Sequence, residues 1–345
     1  MIKSIFKKNR VFVVAEAGIN HNGNFNVAKK MILAAKGAGA DAIKFQAFKT
    51  SELIINKAPK APHIKGKKSF FELLESFELK EKEYVELAKF ARKQKIVLFA
   101  SVFDLKSLEV LEKIGVPLYK VSSGDLDNHL LLRAIAKTKK PVIISTGMGN
   151  LEEIGRAVKI FGDRRGTNRN GLGILHCVSL YPPRADEFHL EKIGILERTF
   201  PKHIIGYSDH SLDILIPVSA VVLGARIIEK HLTLDKKMSG PDQQSSADPE
   251  EFKKMVEQIR YLEKAVNKKK SGFTMVPREQ KMKIAFRRSL VSDVLIEKGI
   301  IITEKLLGVK RPGIGISPTQ ISKIVGKRAK RDLPKNTVIK LSDLI

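Results

Sequence analysis

Tryptophan is absent from the 345 residues, cysteine occurs once, and Phe and Tyr bring the aromatic share to only 6%. The single thiol, Cys177, excludes an internal disulfide and any multi-cysteine metal site, and it suits a reducing compartment. The longest apolar stretches, such as Ile214 to Ala225, fall well short of the ~20 residues that a bilayer-spanning helix requires. The basic start, Met1 to Arg10, leads into no apolar signal region. A soluble, cytoplasmic chain without a membrane partner is the expectation. Acidic residues are scarce as well: 37 against 63 basic ones leave a formal charge of +26.

That charge invites a nucleic-acid reading, because neutralising phosphates dominates such binding. The remaining absences weigh against it. There is no zinc-finger spacing, no basic helix running into heptads and no Arg-rich tract, and stacking platforms for single strands are thin. Basic residues interleave with Glu, as in Glu78-Leu-Lys-Glu-Lys-Glu83, in the manner of a solvated helical surface. The charge therefore speaks for surface character or for an anionic small substrate, and no nucleic-acid partner is expected.

What the chain does have is apolar material, 43% of it, enough for a substantial core. Short apolar runs bounded by turn residues predict strands at 11–17, 42–48, 97–103, 118–122, 142–146, 173–178, 204–208 and 226–232. Amphipathic patterns between and after them predict helices at 25–38, 81–94, 105–114, 130–137, 151–161, 190–199, 213–223 and 249–266. Strands apolar throughout, each followed by a helix, call for a parallel sheet covered on both faces. Eight such units in about 265 residues match a (β/α)8 barrel, whose usual size is ~250. A doubly wound sheet would need a Gly-rich dinucleotide turn after the first strand, and Gly18-Ile-Asn-His-Asn-Gly23 does not supply it. The expected organisation is a barrel over 1–266, a polar linker over 267–283, and a small α+β tail over 284–345 with β-like pieces at 289–294 and 337–340.

Chemistry in a barrel collects at the C-terminal ends of the strands. Polar residues inside otherwise apolar strands are expensive, so those at the ends are informative. They are Glu16, Lys44, Gln46, Ser101, Lys120, Ser122-Ser-Gly-Asp125, Ser145, His176-Cys-Val-Ser179, Ser208-Asp-His210 and Glu229-Lys-His231. Glu229 and His231 share a strand face, and with His210 on the neighbouring strand they suit a divalent cation; hydrogen-bonded barrel histidines are the other reading. Lys44 and Lys120 need anionic partners or a depressed pKa. They suit a phosphate or carboxylate ligand, a Schiff base of the aldolase kind, or pairing with Glu16 and Glu229. Adjacent strand residues face opposite ways, so His176 and Cys177 form no dyad, and Cys177 reads as core packing. The charge alone would support a non-catalytic polyanion binder.

The runs Ala15-Glu-Ala-Gly-Ile-Asn-His-Asn-Gly23, Ile43-Lys-Phe-Gln46, Tyr119-Lys-Val-Ser-Ser-Gly-Asp125, Ser145-Thr-Gly-Met148, Gly206-Tyr-Ser-Asp-His210 and Ile228-Glu-Lys-His-Leu-Thr233 carry a family likeness. Gly240-Pro-Asp242, Arg287-Arg-Ser-Leu290 and Val309-Lys-Arg-Pro-Gly313 extend it through the tail. Together they resemble the sialic acid (N-acetylneuraminate) synthases. The resemblance implies a TIM barrel followed by a C-terminal antifreeze-like (SAF, β-clip) domain. It implies a carbon–carbon bond-forming transferase that joins phosphoenolpyruvate to an N-acetylated aldose such as N-acetylmannosamine, giving a nine-carbon 2-keto acid and phosphate. Synthases of legionaminic and pseudaminic acids and spore-coat polysaccharide proteins share the same core.

Carried over by motif, His210 and His231 would hold a divalent metal, Mn2+ or Mg2+, acting as a Lewis acid on the aldehyde. Lys44, Ser101, Lys120, Ser123, Ser145 and Ser208 would hold phosphoenolpyruvate. Gln46, Tyr181 and Asp242 would face the sugar, with Ser179 on the same side. Arg311 would reach the N-acyl group of a sugar in the other subunit of a homodimer whose tails cover each other's barrel mouths. Asp125 or Glu16 would move protons. Asp125, Asn22 and Ser179 stand where relatives often have Glu, Glu and Asn, so the sequence departs from the pattern on the sugar side.

Overall fold

The structure, a computed structural model, describes residue 6 and residues 10–60, 64, 66–162, 171–266 and 274–345. The chain divides into two compact units, Met1–Asn267 and Lys268–Ile345.

In the first unit eight parallel strands close into a barrel: β1 (Phe12–Gly18), β2 (Ala42–Ala47), β3 (Val97–Val102), β4 (Tyr119–Val121), β5 (Val142–Ser145), β6 (Leu172–Cys177), β7 (Ile204–Asp209) and β8 (Ile227–His231). β8 pairs back onto β1, so no edge is left exposed. Every strand lies where the apolar runs predict it, and the eight expected helices follow their strands.

Alternation along the strands sorts side chains into two environments. One set, including Val13, Ile43, Tyr119, Ile144, Ile174 and Ile228, packs outward against the helices. The other points into the barrel. Its lower part is an apolar plug of Phe12, Val14, Ala42, Phe99, Leu118, Ile143, Leu175, Ile204 and Ile227. Two residues further along the same faces, four on β7, the apolar side chains give way to Glu16, Lys44, Ser101, Lys120, Ser145, Ser208 and Glu229, all buried. The plug is tight enough to require Gly206: a Cβ there would stand 2.4 Å from the Ile227 carbonyl oxygen.

Local signals start the helices. Asn150 accepts from the Glu153 amide while the Glu153 carboxylate accepts from Asn150, a capping box that opens the helix Leu151–Phe161. Asp104 caps Leu105–Ile114 by accepting from the Ser107 amide, and Gly115 ends it in the left-handed region at φ 74°. Two short helices, Thr50–Leu53 and Phe70–Glu75, lie in the connection after β2, where the sequence reading has none. Among the described residues no helix is long and apolar enough to cross a membrane.

The second unit has its own small core, built from Leu290, Ile296, Ile302, Ile316, Ile324, Ala329, Leu333, Ile339 and Leu344. β9 (Ser289–Ser292) pairs antiparallel with β10 (Leu307–Lys310), and the remaining contacts are single bridges such as Val291 with Val338. The sequence reading puts a strand at 337–340; only that one bridge forms there, and the ladder partner is β10 instead. The turn residues after Val309 hide the strand before them. Of the segment read as a linker, 267–273 lies outside the described residues, and Glu279–Phe286 is helical.

Candidate active site

The inward polar residues meet in a cavity of about 310 Å³ at the C-terminal ends of the strands. Glu16, Lys44, Gln46, Ser101, Lys120, Ser123, Ser145, Ser179, Tyr181, Ser208, His210, Glu229 and His231 all line it.

Its floor is a chain of charges that alternate in sign. Lys44 Nζ pairs with Glu16 Oε2 at 2.9 Å and Glu229 Oε2 at 3.4 Å, and donates to Ser101 Oγ at 2.9 Å. Lys120 Nζ donates to Ser145 Oγ at 2.7 Å and to the Val121 carbonyl at 3.1 Å, with Glu229 Oε1 at 3.7 Å. Ser208 Oγ donates to the same Glu229 oxygen at 2.9 Å. Burial pushes the Glu16 carboxyl up to about 7 against the pull of Lys44. Glu229 is equally buried, but Lys120 and Lys44 together outweigh desolvation and bring its carboxyl down. Burial lowers the Lys120 ammonium, while on Lys44 the two carboxylates overcome the same burial and raise it. The site thus holds one firmly ionised carboxylate and one poised to exchange a proton.

Beside this floor stand two imidazoles. The His210 and His231 ring centres are 5.4 Å apart, and Tyr181 stacks on His210 at 4.0 Å. His210 Nδ1 faces the Val178 carbonyl at 2.7 Å, which assigns that nitrogen the proton and leaves Nε2 as the lone-pair donor. His231 Nδ1 is buried without a hydrogen bond, and Asp242 Oδ2 lies 3.9 Å away. Burial takes His210 down to about 4 and His231 well below its ordinary value, so both are neutral near pH 7. Neutral imidazoles with an orphaned nitrogen fit a divalent cation. Among the described residues no group of three or more His, Cys, Asp or Glu forms a metal cage, so substrate or water oxygens would complete the shell.

Backbone features shape the walls. Glu16 faces the cavity by alternation from Val14, and just after it the β1–β2 register slips at a bulge where Gly18 sits at φ 52°. A Cβ on Gly147 would stand 2.3 Å from Ser179 Oγ and 2.8 Å from Ser123 Oγ, so glycine lets this turn approach both serines. Its amide donates to Ser123 Oγ at 3.0 Å. Gln46 Nε2 approaches Glu16 Oε1 at 3.4 Å.

Two expected residues of this unit stand apart from the wall. The Asp125 carboxylate turns to Ser122 Oγ at 2.7 Å and Asn128 Nδ2 at 3.1 Å. Asp242 meets the site at His231, with Oδ2 3.9 Å from Nδ1. Within the second unit, Arg311 lies over the Phe286 ring at 4.9 Å. Cys177 is a correction: read as core packing, it faces the cavity, while His176 faces outward to the Phe188 carbonyl at 2.7 Å. Alternation separates the two residues without saying which is inside; the inward set Gly173, Leu175, Cys177 decides it. Phe103 and Met148 also line the cavity, and sequence reasoning passed over them because apolar residues at strand ends look like packing.

Comparison with known proteins adds a family. The NeuB family model matches residues 31–271 and the SAF domain model matches residues 287–345. The chain is 40% identical over 336 residues to the N,N'-diacetyllegionaminic acid synthase of Campylobacter jejuni, covering 96% of this chain and 99% of that one. To a pseudaminic acid synthase of Campylobacter jejuni it is 36% identical over 338 residues, covering 97% and 96%. A crystal structure of the N-acetylneuraminic acid (sialic acid) synthetase of Leptospira borgpetersenii, in complex with citrate, matches with a TM-score of 0.70 at 36% identity, covering 79% of this chain and 90% of that one.

Proposed function

The chain belongs to the NeuB family and is an enzyme of the sugar-acid synthase type, and from that premise we propose that it condenses phosphoenolpyruvate with the open-chain form of an N-acetylated amino sugar. The product is a nine-carbon 2-keto acid, released with phosphate. One observation carries the reading: two buried lysines and a set of serines converge on the floor of a cavity that also holds two neutral imidazoles.

Lys120, Ser123, Ser145 and Ser208 offer donors to the phosphate and carboxylate of phosphoenolpyruvate, and Lys44 and Ser101 hold its other side. Lys44, Ser101, Lys120, Ser145 and Ser208 are buried, so their donors count for more than they would in water. Bound between them, the enol carbon C3 faces the aldehyde carbon, and the new bond forms there. The aldehyde oxygen takes a proton from a carboxyl group, water adds at C2, the C2–O bond breaks to expel phosphate with one of the water's protons, and the other returns to that carboxylate. Glu16 takes that proton: its carboxyl lines the cavity and burial holds it near neutrality, whereas Asp125 is engaged with Ser122 and Asn128. A divalent cation, Mn2+ or Mg2+, held by His210 and His231 would supply Lewis acidity at the aldehyde oxygen. Gln46, Ser179 and Tyr181 would meet the sugar, with Asp242 acting through His231, and Arg311 of a partner subunit would contact the N-acyl group across a homodimer.

The acceptor belongs to the set that the relatives' names span. Legionaminic-type and pseudaminic-type precursors fit as well as N-acetylmannosamine does. The Schiff-base reading is disfavoured at Lys44, whose ammonium Glu16 and Glu229 hold in the charged, non-nucleophilic form. Phosphate release from phosphoenolpyruvate, measured against N-acetylated hexosamines and 2,4-diacetamido-trideoxyhexoses, tests the proposal. Release with at least one sugar, and none without sugar, is expected; no release with any of them overturns it.

A further inference from the structure

Two charged residues at the ends of β7 and β8 pair with each other off the cavity wall. Asp209 ends β7 and Lys230 lies opposite it on β8. Alternation turns both to the outer side of the barrel, directly behind His210 and His231. Their side chains are 0% and 1% exposed, and Lys230 Nζ lies 2.6 Å from Asp209 Oδ2. Lys230 also donates to the Ser211 carbonyl at 2.8 Å, and Ser211 Oγ donates to Asp209 Oδ2 at 2.7 Å. Asp209 Oδ1 is left buried without a hydrogen bond.

A buried ion pair of this kind costs desolvation that its attraction seldom repays, and apolar residues of similar size would serve packing as well. What it does here is tie the residues around the two imidazoles. His210 follows the last ladder pair between β7 and β8, and the residues on either side of it, 209 and 211, both bond to one ammonium. The next residue after that ammonium's own backbone is His231.

We propose that the Asp209–Lys230 pair is a positioning device that sets the spacing and orientation of His210 and His231 for a divalent cation. The inference rests on the reading that these imidazoles hold such an ion. Groups that orient metal-binding imidazoles are typically worth about 10–100-fold in metal affinity.

The test is Asp209→Leu/Lys230→Met, which removes both charges together and leaves none stranded, in the full-length protein. Three quantities are read: thermal unfolding, Mn2+ affinity from the electron paramagnetic resonance signal of free Mn2+, and the crystal structure of the variant. The expected result is a variant that melts with the wild type, binds Mn2+ about 10–100-fold more weakly, and no longer holds the rings 5.4 Å apart. A folded variant with wild-type Mn2+ affinity and ring spacing overturns the proposal. If the double variant does not fold, Asp209→Asn, nearly isosteric, is put through the same three measurements: weaker Mn2+ binding with altered ring spacing supports the proposal, and wild-type values for both overturn it. If the wild type itself binds no Mn2+, the metal reading falls, and the ring spacing alone decides whether the pair positions the imidazoles.

Discussion

Lys44→Met removes a cation that two buried carboxylates share, and the cost should depend on pH. Lys44 pairs with Glu16 and Glu229 and donates to Ser101, in a site 4% exposed or less at Lys44 and Glu16. Deleting one partner of a buried pair ordinarily costs about 3–5 kcal/mol because a charge is stranded. Here the stranded charge can be neutralised, since burial already holds the Glu16 carboxyl near 7 and a proton is taken up at neutral pH for little free energy. A carboxyl whose folded pKa exceeds its unfolded 4.5 contributes stability at low pH that is lost as pH rises through the folded value. In the wild type that loss is complete a little above neutrality, and Lys44 then sustains the carboxylate. Without Lys44 the folded pKa climbs further, and the loss continues at about 1.4 kcal/mol per pH unit for the proton retained. Between about pH 7 and 9 the variant should therefore fall progressively behind the wild type, by at most about 1.4 kcal/mol per pH unit. Urea unfolding followed by far-ultraviolet circular dichroism, with a chelator present, measures this in a chain that has no tryptophan to report. A gap that stays constant across that range would refute the reasoning, because it would mean that Glu16 takes up no proton when its partner goes.

Burial lowers His21 to about 4 from 6.5, so it stays neutral in the fold while the unfolded chain protonates. That part of the stability is lost as pH falls between those values, up to about 3 kcal/mol, and His21→Gln should flatten the slope in urea titrations at pH 7 and 4.5. Gly147→Ala drives a methyl into Ser123 and Ser179; overpacking of about 1–3 kcal/mol should appear as a raised KM for phosphoenolpyruvate in steady-state kinetics, and an unchanged KM would contradict it. Arg311→Ala should raise the KM for the sugar more than that for phosphoenolpyruvate, and equal effects on both would count against its proposed contact.

The barrel was legible because its signal is repeated and local. Each strand is an apolar run between turn residues, and each is followed by a helix, some with caps of their own, as Asp104 and Asn150 show. The inward polar set was legible for the same reason, since Lys44 and Lys120 are conspicuous inside such runs. What escaped depends on direction or on long-range register. Nothing in the spacing says that Asp125 turns to Ser122 and Asn128, partners only three residues away on either side. Nor does it say that Cys177, rather than His176, is the one facing in. β10 was hidden because Leu307–Lys310 is partly exposed and runs straight into Arg-Pro-Gly, so pattern and punctuation overlap.

The inward-facing thiol makes the chain its own occupancy gauge. Cys177 is the sole sulfhydryl, 6% exposed and walled in beside the lysines that would meet phosphoenolpyruvate. A thiol-specific dye can therefore label one position only, and only by entering the cavity. The rate of labelling, with and without a candidate ligand, reads filling of the site directly, before any turnover assay exists. Any cysteine introduced elsewhere on the surface would react far sooner, so probes can be attached there without first removing the native one.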